Sequence, residues 1–61
     1  AELPDDEVMD LLYRRVNSRY PNWHQEKDLG KSRRTFEEQG RELGIPGEQV
    51  KRLVDDFFAT R

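Results

Sequence analysis

From Asp5 onward, apolar residues recur at steps of three and four, at Val8, Leu11, Leu12, Val16 and Tyr20, which is the repeat of one helix face. The spacing predicts a first helix from about Asp5 to Arg19. Asp5, Asp6 and Glu7 place negative charge on its first turn, with Pro4 just outside or at the first position. Pro21 disfavours helical dihedrals at Tyr20 and so closes the segment. Residues 21–34 carry Pro21, Asn22, Gly30 and Ser32 and read as irregular. Trp23 and Leu29, both large and apolar, are expected to cap the core from a loop or short helical turn in this stretch.

Thr35-Phe36-Glu37-Glu38 has the spacing of a capping box, so a second helix is expected to start at Thr35, or a turn earlier at Ser32. It closes at Gly44, which can take the left-handed conformation after Leu43. Ile45-Pro46-Gly47-Glu48 restarts the chain, and Val50, Leu53, Val54, Phe57 and Phe58 fall at i, i+3, i+4, i+7 and i+8, the cleanest amphipathic pattern present. No segment alternates with a strand period. The expected fold is all-α, a three-helix bundle with a helix-turn-helix corner between helices 2 and 3. Its expected core is Trp23, Phe36, Leu43, Ile45 and the two stripes. Gly40, four residues before Gly44, is the small position that lets helices 2 and 3 approach.

Sixty-one residues with 39% charged side chains allow one small domain, residues 1–61, and no second core. The absence of cysteine removes disulfides, thiolate metal sites and a thiol nucleophile at once. The longest apolar stretches, Leu11-Leu12-Tyr13 and Phe57-Phe58-Ala59, fall far short of the roughly 20 residues that cross a bilayer. An intracellular protein without membrane insertion is the expectation. The opening residue is Ala1 rather than Met, which leaves room for these residues to belong to a longer chain.

The net charge of −2 conceals an uneven distribution. Residues 1–10 hold five acids and no base, whereas residues 11–36 hold Arg14, Arg15, Arg19, Lys27, Lys31, Arg33 and Arg34 against Glu26 and Asp28. Two explanations compete: complementation of helix dipoles on a solvated surface, or a docking face for something anionic. Catalysis has little support. His24 is the single histidine and gives neither a metal pair nor a charge relay with flexible Glu26 and Asp28. Gly30-Lys31-Ser32 lacks the upstream glycine and strand of a phosphate loop. Asp5, Asp6, Glu7 and Asp10 are explained by an acidic helix start better than by calcium. The chain therefore reads as a non-enzyme with no metal and no cofactor.

Tyr20-Pro21-Asn22-Trp23, the basic run Lys31 to Arg34 leading to Phe36, and Glu42-Leu43-Gly44-Ile45 followed by Glu48 to Leu53 and Phe57 are the residues that carry a family likeness. Over about residues 5–60 the sequence resembles the MADF branch of the Myb/SANT-like DNA-binding domains. That resemblance implies a helix-turn-helix module of transcription regulation binding duplex DNA. It would set Lys51 and Arg52 of the third helix, with Gln49 or Glu48 nearby, toward bases or phosphates, and Arg33 and Arg34 toward the backbone. Electrostatics opposes this expectation, because Glu48, Asp55 and Asp56 share the third helix and the sequence pI is about 5.3. The alternative is a small protein–protein interaction domain that holds a partner through helix 1 and the C-terminal helix, at Met9, Tyr13, Arg14, Phe57 and Phe58. Met9 and Tyr13 would there form an exposed stripe, or else complete a wide core face. Phe57 and Phe58 cannot both be buried easily in so small a core, so a homodimer contact at that end is also an expectation.

Overall fold

The structure, a computed structural model, describes residues 3–60. Helix α1 spans Asp5–Arg19, a single 3-10 turn covers Trp23–Gln25, α2 spans Leu29–Glu42 and α3 spans Gly47–Ala59. There is no strand among the described residues. The protein is the three-helix bundle with a helix-turn-helix corner that its periodicity predicts.

Helix α1 begins and ends where the acidic turn and Pro21 place it. The Pro4 carbonyl accepts from the Val8 N–H at 3.1 Å, and the Tyr20 N–H closes the last turn on Val16 at 2.7 Å. Helix α2 departs from expectation by starting at Leu29. Its cap is Asp28, whose carboxylate accepts the backbone N–H groups of Gly30 at 3.0 Å and Lys31 at 3.3 Å. The Thr35–Glu38 spacing is therefore internal to the helix, and the Thr35 hydroxyl donates to the Lys31 carbonyl one turn back. An aspartate directly before the first helical residue was the signal that mattered.

The corner follows from two glycines. Gly44 adopts a φ of +77°, and with it the Gly44 N–H reaches the Arg41 carbonyl and the Ile45 N–H reaches the Gly40 carbonyl, the paired bonds of a Schellman ending. Residues 43–46 then lead directly into α3. Gly40 faces α3 so closely that a Cβ there would lie 2.7 and 2.9 Å from the two Val50 methyls and 3.3 Å from Leu12 Cδ2. Helix α3 packs more extensively on α2 than on α1.

The core consists of Val8, Leu12, Val16, Trp23, Phe36, Val50, Val54 and Phe58, with Met9, Ile45, Leu53 and Phe57 half-buried around it. Trp23 stands edge-on to Phe36 at 5.0 Å, and its Nε1 donates to Asn17 Oδ1 at 2.6 Å, so the buried indole keeps its hydrogen bond. The expected capping role thus belongs to Trp23 alone. Leu29, assigned to the core from its size, is 55% exposed, as it occupies the first position of a helix whose inner face starts at Ser32. Leu11, Tyr20 and Leu43 are also exposed, against expectation.

Polar bonds hold α1 on α2. Gln39, almost fully buried, accepts at Oε1 from Arg15 Nε at 2.9 Å and Arg19 Nη1 at 3.2 Å, while Glu42 pairs with Arg19 at 2.8 Å and Arg15 at 3.4 Å. Two mutational outcomes follow from this packing. Gly40→Ala gains about 1 kcal/mol of helix propensity but overpacks Val50 by about 1–3 kcal/mol. Chemical denaturation should show a net loss, and the Gly40→Ala/Val50→Ala pair should lose less than the two single changes added together. Trp23→Ala should cost about 3–5 kcal/mol, comparable to the whole stability of so small a domain, and a cooperative melt retained near the parent temperature would place Trp23 outside the core.

Candidate functional site

The five residues that the DNA-binding expectation singles out are not presented together. Gln49 is only 3% exposed and points inward, its Nε2 donating to the Leu3 carbonyl at 2.9 Å and to Asp5 Oδ1 at 3.0 Å. Arg52 pairs with the same Asp5 oxygen at 2.8 Å, and Arg33 pairs with Asp55. Arg34 and Lys51 remain exposed and form no ion pair among the described residues. Along α3 the outer surface is lined by Glu48, Lys51, Arg52, Asp55 and Asp56, more carboxylates than cations.

The basic middle of the chain has the same fate. Arg14 pairs with Asp10, Arg15 and Arg19 with Glu42, Lys31 with Glu26, and Arg33 with Asp55. Only Lys27 and Arg34 of that stretch lack an ion pair among the described residues. The sequence clusters these bases, while the fold distributes them among the acids.

The residues of the alternative site are also divided. Met9 is half-buried against the core, which makes it part of a wide core face rather than an exposed stripe. Tyr13 is exposed at one edge, with its ring edge-on to Trp23 at 6.1 Å and to Phe57 at 6.2 Å. Arg14 is exposed beside Asp10, Phe57 is half-buried and Phe58 is buried. Phe58 is therefore a core residue and offers no surface to a partner. His24 lies on the Trp23 ring at 4.0 Å and shares Asn17 Oδ1 with it.

Two of the exposed leucines, Leu3 and Leu43, meet at the corner. A groove of about 400 Å³ is lined by Leu3, Val8, Leu43, Gly44, Ile45, Pro46 and Gln49. Leu3 is 46% exposed and Leu43 36% exposed on its rim, and Leu11, 41% exposed, lies one helical turn beyond Val8. Leu11 and Leu43 fall at core spacings in the sequence but sit at the edge of the bundle. The reason is on α1 itself: the flank that meets α2 is occupied by Arg15 and Arg19 reaching Gln39 and Glu42, so Leu11 is left beside the contact. Beneath the groove wall, Gln49 Oε1 is buried with no hydrogen-bond partner among the described residues. Its orientation is fixed, because exchanging the amide N and O would turn an acceptor onto the Leu3 carbonyl and the Asp5 carboxylate.

Two carboxylates are perturbed. The hydrogen bond from Gln49 holds Asp5 below the usual aspartate range against some desolvation, with the Arg52 charge assisting. The hydrogen bond from Arg19, with Arg15 beyond it, lowers Glu42 in the same way. Comparison with protein-family models, with curated proteins and with solved structures finds no match to this chain.

Because both folded-state values lie below the unfolded ones, the stabilisation they represent is complete above the ordinary carboxylate range of about 4 and is lost as pH falls through the lowered values. Melting temperature should decline on acidification in that window. Gln49→Met removes the largest cause for Asp5, so a carboxyl-carbon NMR titration should find Asp5 raised and Glu42 unmoved; an unchanged Asp5 would assign its shift to Arg52 instead.

Proposed function

We propose that the protein is a non-enzymatic protein-interaction module that docks a partner segment in the leucine-rimmed groove at its helix-turn-helix corner. The observation that carries this is an apolar concavity at the corner with the exposed leucines Leu3 and Leu43 on its rim. In a chain that is only 33% hydrophobic, apolar side chains left on one rim are withheld from a core that has few to spare. The groove is preformed between the end of α2, the start of α3 and the N-terminal turn of α1, all tied by backbone and side-chain hydrogen bonds. A binding surface on such rigid elements loses little entropy when occupied.

This reading is favoured over the duplex-DNA one on electrostatic grounds. Affinity for duplex DNA comes largely from neutralising phosphates, and the cations of α3 and of the basic middle are mostly spent on carboxylates of the same chain. Gln49 would have to abandon Leu3 and Asp5 to read a base.

Leu3→Gln and Leu43→Gln change exposed positions and should alter stability by no more than about 0.5–1 kcal/mol. Peptides selected from a displayed library on the parent protein should lose binding to the Leu3→Gln/Leu43→Gln protein, with amide shifts in the parent confined to residues 3–12 and 43–50. Ligands indifferent to both substitutions would remove the groove from consideration. Amide shifts on residues 31–36 and 47–53 with a DNA duplex, weakening steeply between about 50 and 200 mM salt, would restore the nucleic-acid reading.

A further inference from the structure

Helix α2 has an exposed leucine at each end, and the two ends differ in charge. Leu29, its first residue, is the most exposed large apolar side chain among the described residues, whereas Leu43 closes the far end on the rim of the corner groove. Resting on the docking function proposed above, we infer that the segment the groove receives is the start of α2 in a second copy of this chain. Leu29 of one copy enters beside Leu3 and Leu43 of the other, with Lys27 and Arg34 flanking it.

Charge selects this occupant. Around Leu29 the acids are already engaged: Asp28 caps α2 on the Gly30 and Lys31 N–H groups, Glu26 pairs with Lys31, and Asp55 pairs with Arg33. Lys27 and Arg34 are the cations left over, both exposed and without an ion pair among the described residues. An Arg34 guanidinium nitrogen lies 3.7 Å from where a Cβ on Gly30 would stand, directly beside Leu29. At the groove the balance is reversed. The first turn of α1, between the lining residues Leu3 and Val8, exposes Asp6 and Glu7, neither ion-paired among the described residues. Of the nearby cations, Arg52 is held by Asp5, and Arg41 lies across Ile45 in a separate cleft with Glu37 and Lys51. An exposed leucine beside two uncompensated cations thus complements an apolar groove beside two uncompensated carboxylates. The 14 residues of α2 hold the two sites about 20 Å apart on one copy, so a chain cannot fill its own groove. Each copy gives Leu29 to one neighbour and accepts it from another, and a contact between two different surfaces is head-to-tail.

Sedimentation equilibrium and ¹⁵N amide shifts, recorded on the 61-residue chain from about 0.05 to 1 mM, test this at concentrations suited to a contact well below the standard interface size. Mean mass should rise with concentration beyond two chains, and shifts should appear together at residues 27–34, 3–11 and 43–49. Both effects should weaken by about threefold or more between about 50 and 500 mM salt. Leu29→Gln and Leu43→Gln each change an exposed position, and each variant alone should remain monomeric. Mixed, they should form a one-to-one complex and nothing larger, because Leu29→Gln retains the groove and Leu43→Gln retains Leu29. Association of either variant like the parent, or failure of the two to combine, would overturn the assignment. A parent chain monomeric throughout would overturn it as well, and library peptides that still shift the groove residues would then leave the docking function standing. A groove that takes neither a second copy nor any library peptide would overturn the docking function itself.

Discussion

The contact between Gly40 and Val50 sets the geometry on which the rest of the molecule depends. With no side chain at Gly40, α3 can lie against α2 at a distance that a Cβ would forbid, and the Schellman ending at Gly44 turns the chain into that position without a long loop. Close approach buries Val50, Val54 and Phe58 against Phe36 and Leu12. It also projects Leu43, Ile45 and Pro46 from the turn as one wall of a groove whose other wall is the start of α1. A larger residue at Gly40 would open the corner and the groove together.

Electrostatics in this protein is organised inward. Acids and bases that are far apart in sequence, Arg15 and Arg19 with Glu42, Arg33 with Asp55, Arg52 with Asp5, join one helix to another. Exposed ion pairs of this kind contribute little each, and their main effect is to fix which flank of a helix faces which neighbour. They also remove the basic face that a linear reading of residues 11–36 suggests. Local charge density along a chain becomes a surface potential only when the fold leaves the charges unpartnered, and in this bundle most are partnered.

The helices were legible because their signals are local. Periodicity placed α1 and α3 to within a residue or two, and Gly44 with Pro46 marked the corner. The start of α2 was missed because Gly30 and Ser32 look like helix breakers, whereas the Asp28 carboxylate satisfies the first free N–H groups and tolerates both. Gly40 was read correctly, as its role depends only on its spacing from the turn. The groove was not legible. Spacing says that Leu11 and Leu43 lie on apolar faces, but whether a face is covered depends on where two other helices seat, and that is decided by Arg15, Arg19 and Gln39 through contacts twenty or more residues away in sequence. Gln49, marked from its position on α3 as a candidate for base contact, is turned inward by Leu3 and Asp5, a partnership across 44 to 46 residues that no local pattern encodes.

Gln49 joins the two aspects of the corner. Its amide nitrogen fastens the N-terminal turn of α1 to α3, which any apolar residue of similar size would fail to do, and the same planar group necessarily carries an oxygen pointing the other way. A buried acceptor without a partner is costly, by about 1–3 kcal/mol, in a domain with little stability to spare. The two bonds made by the nitrogen offset that cost without meeting it at the oxygen.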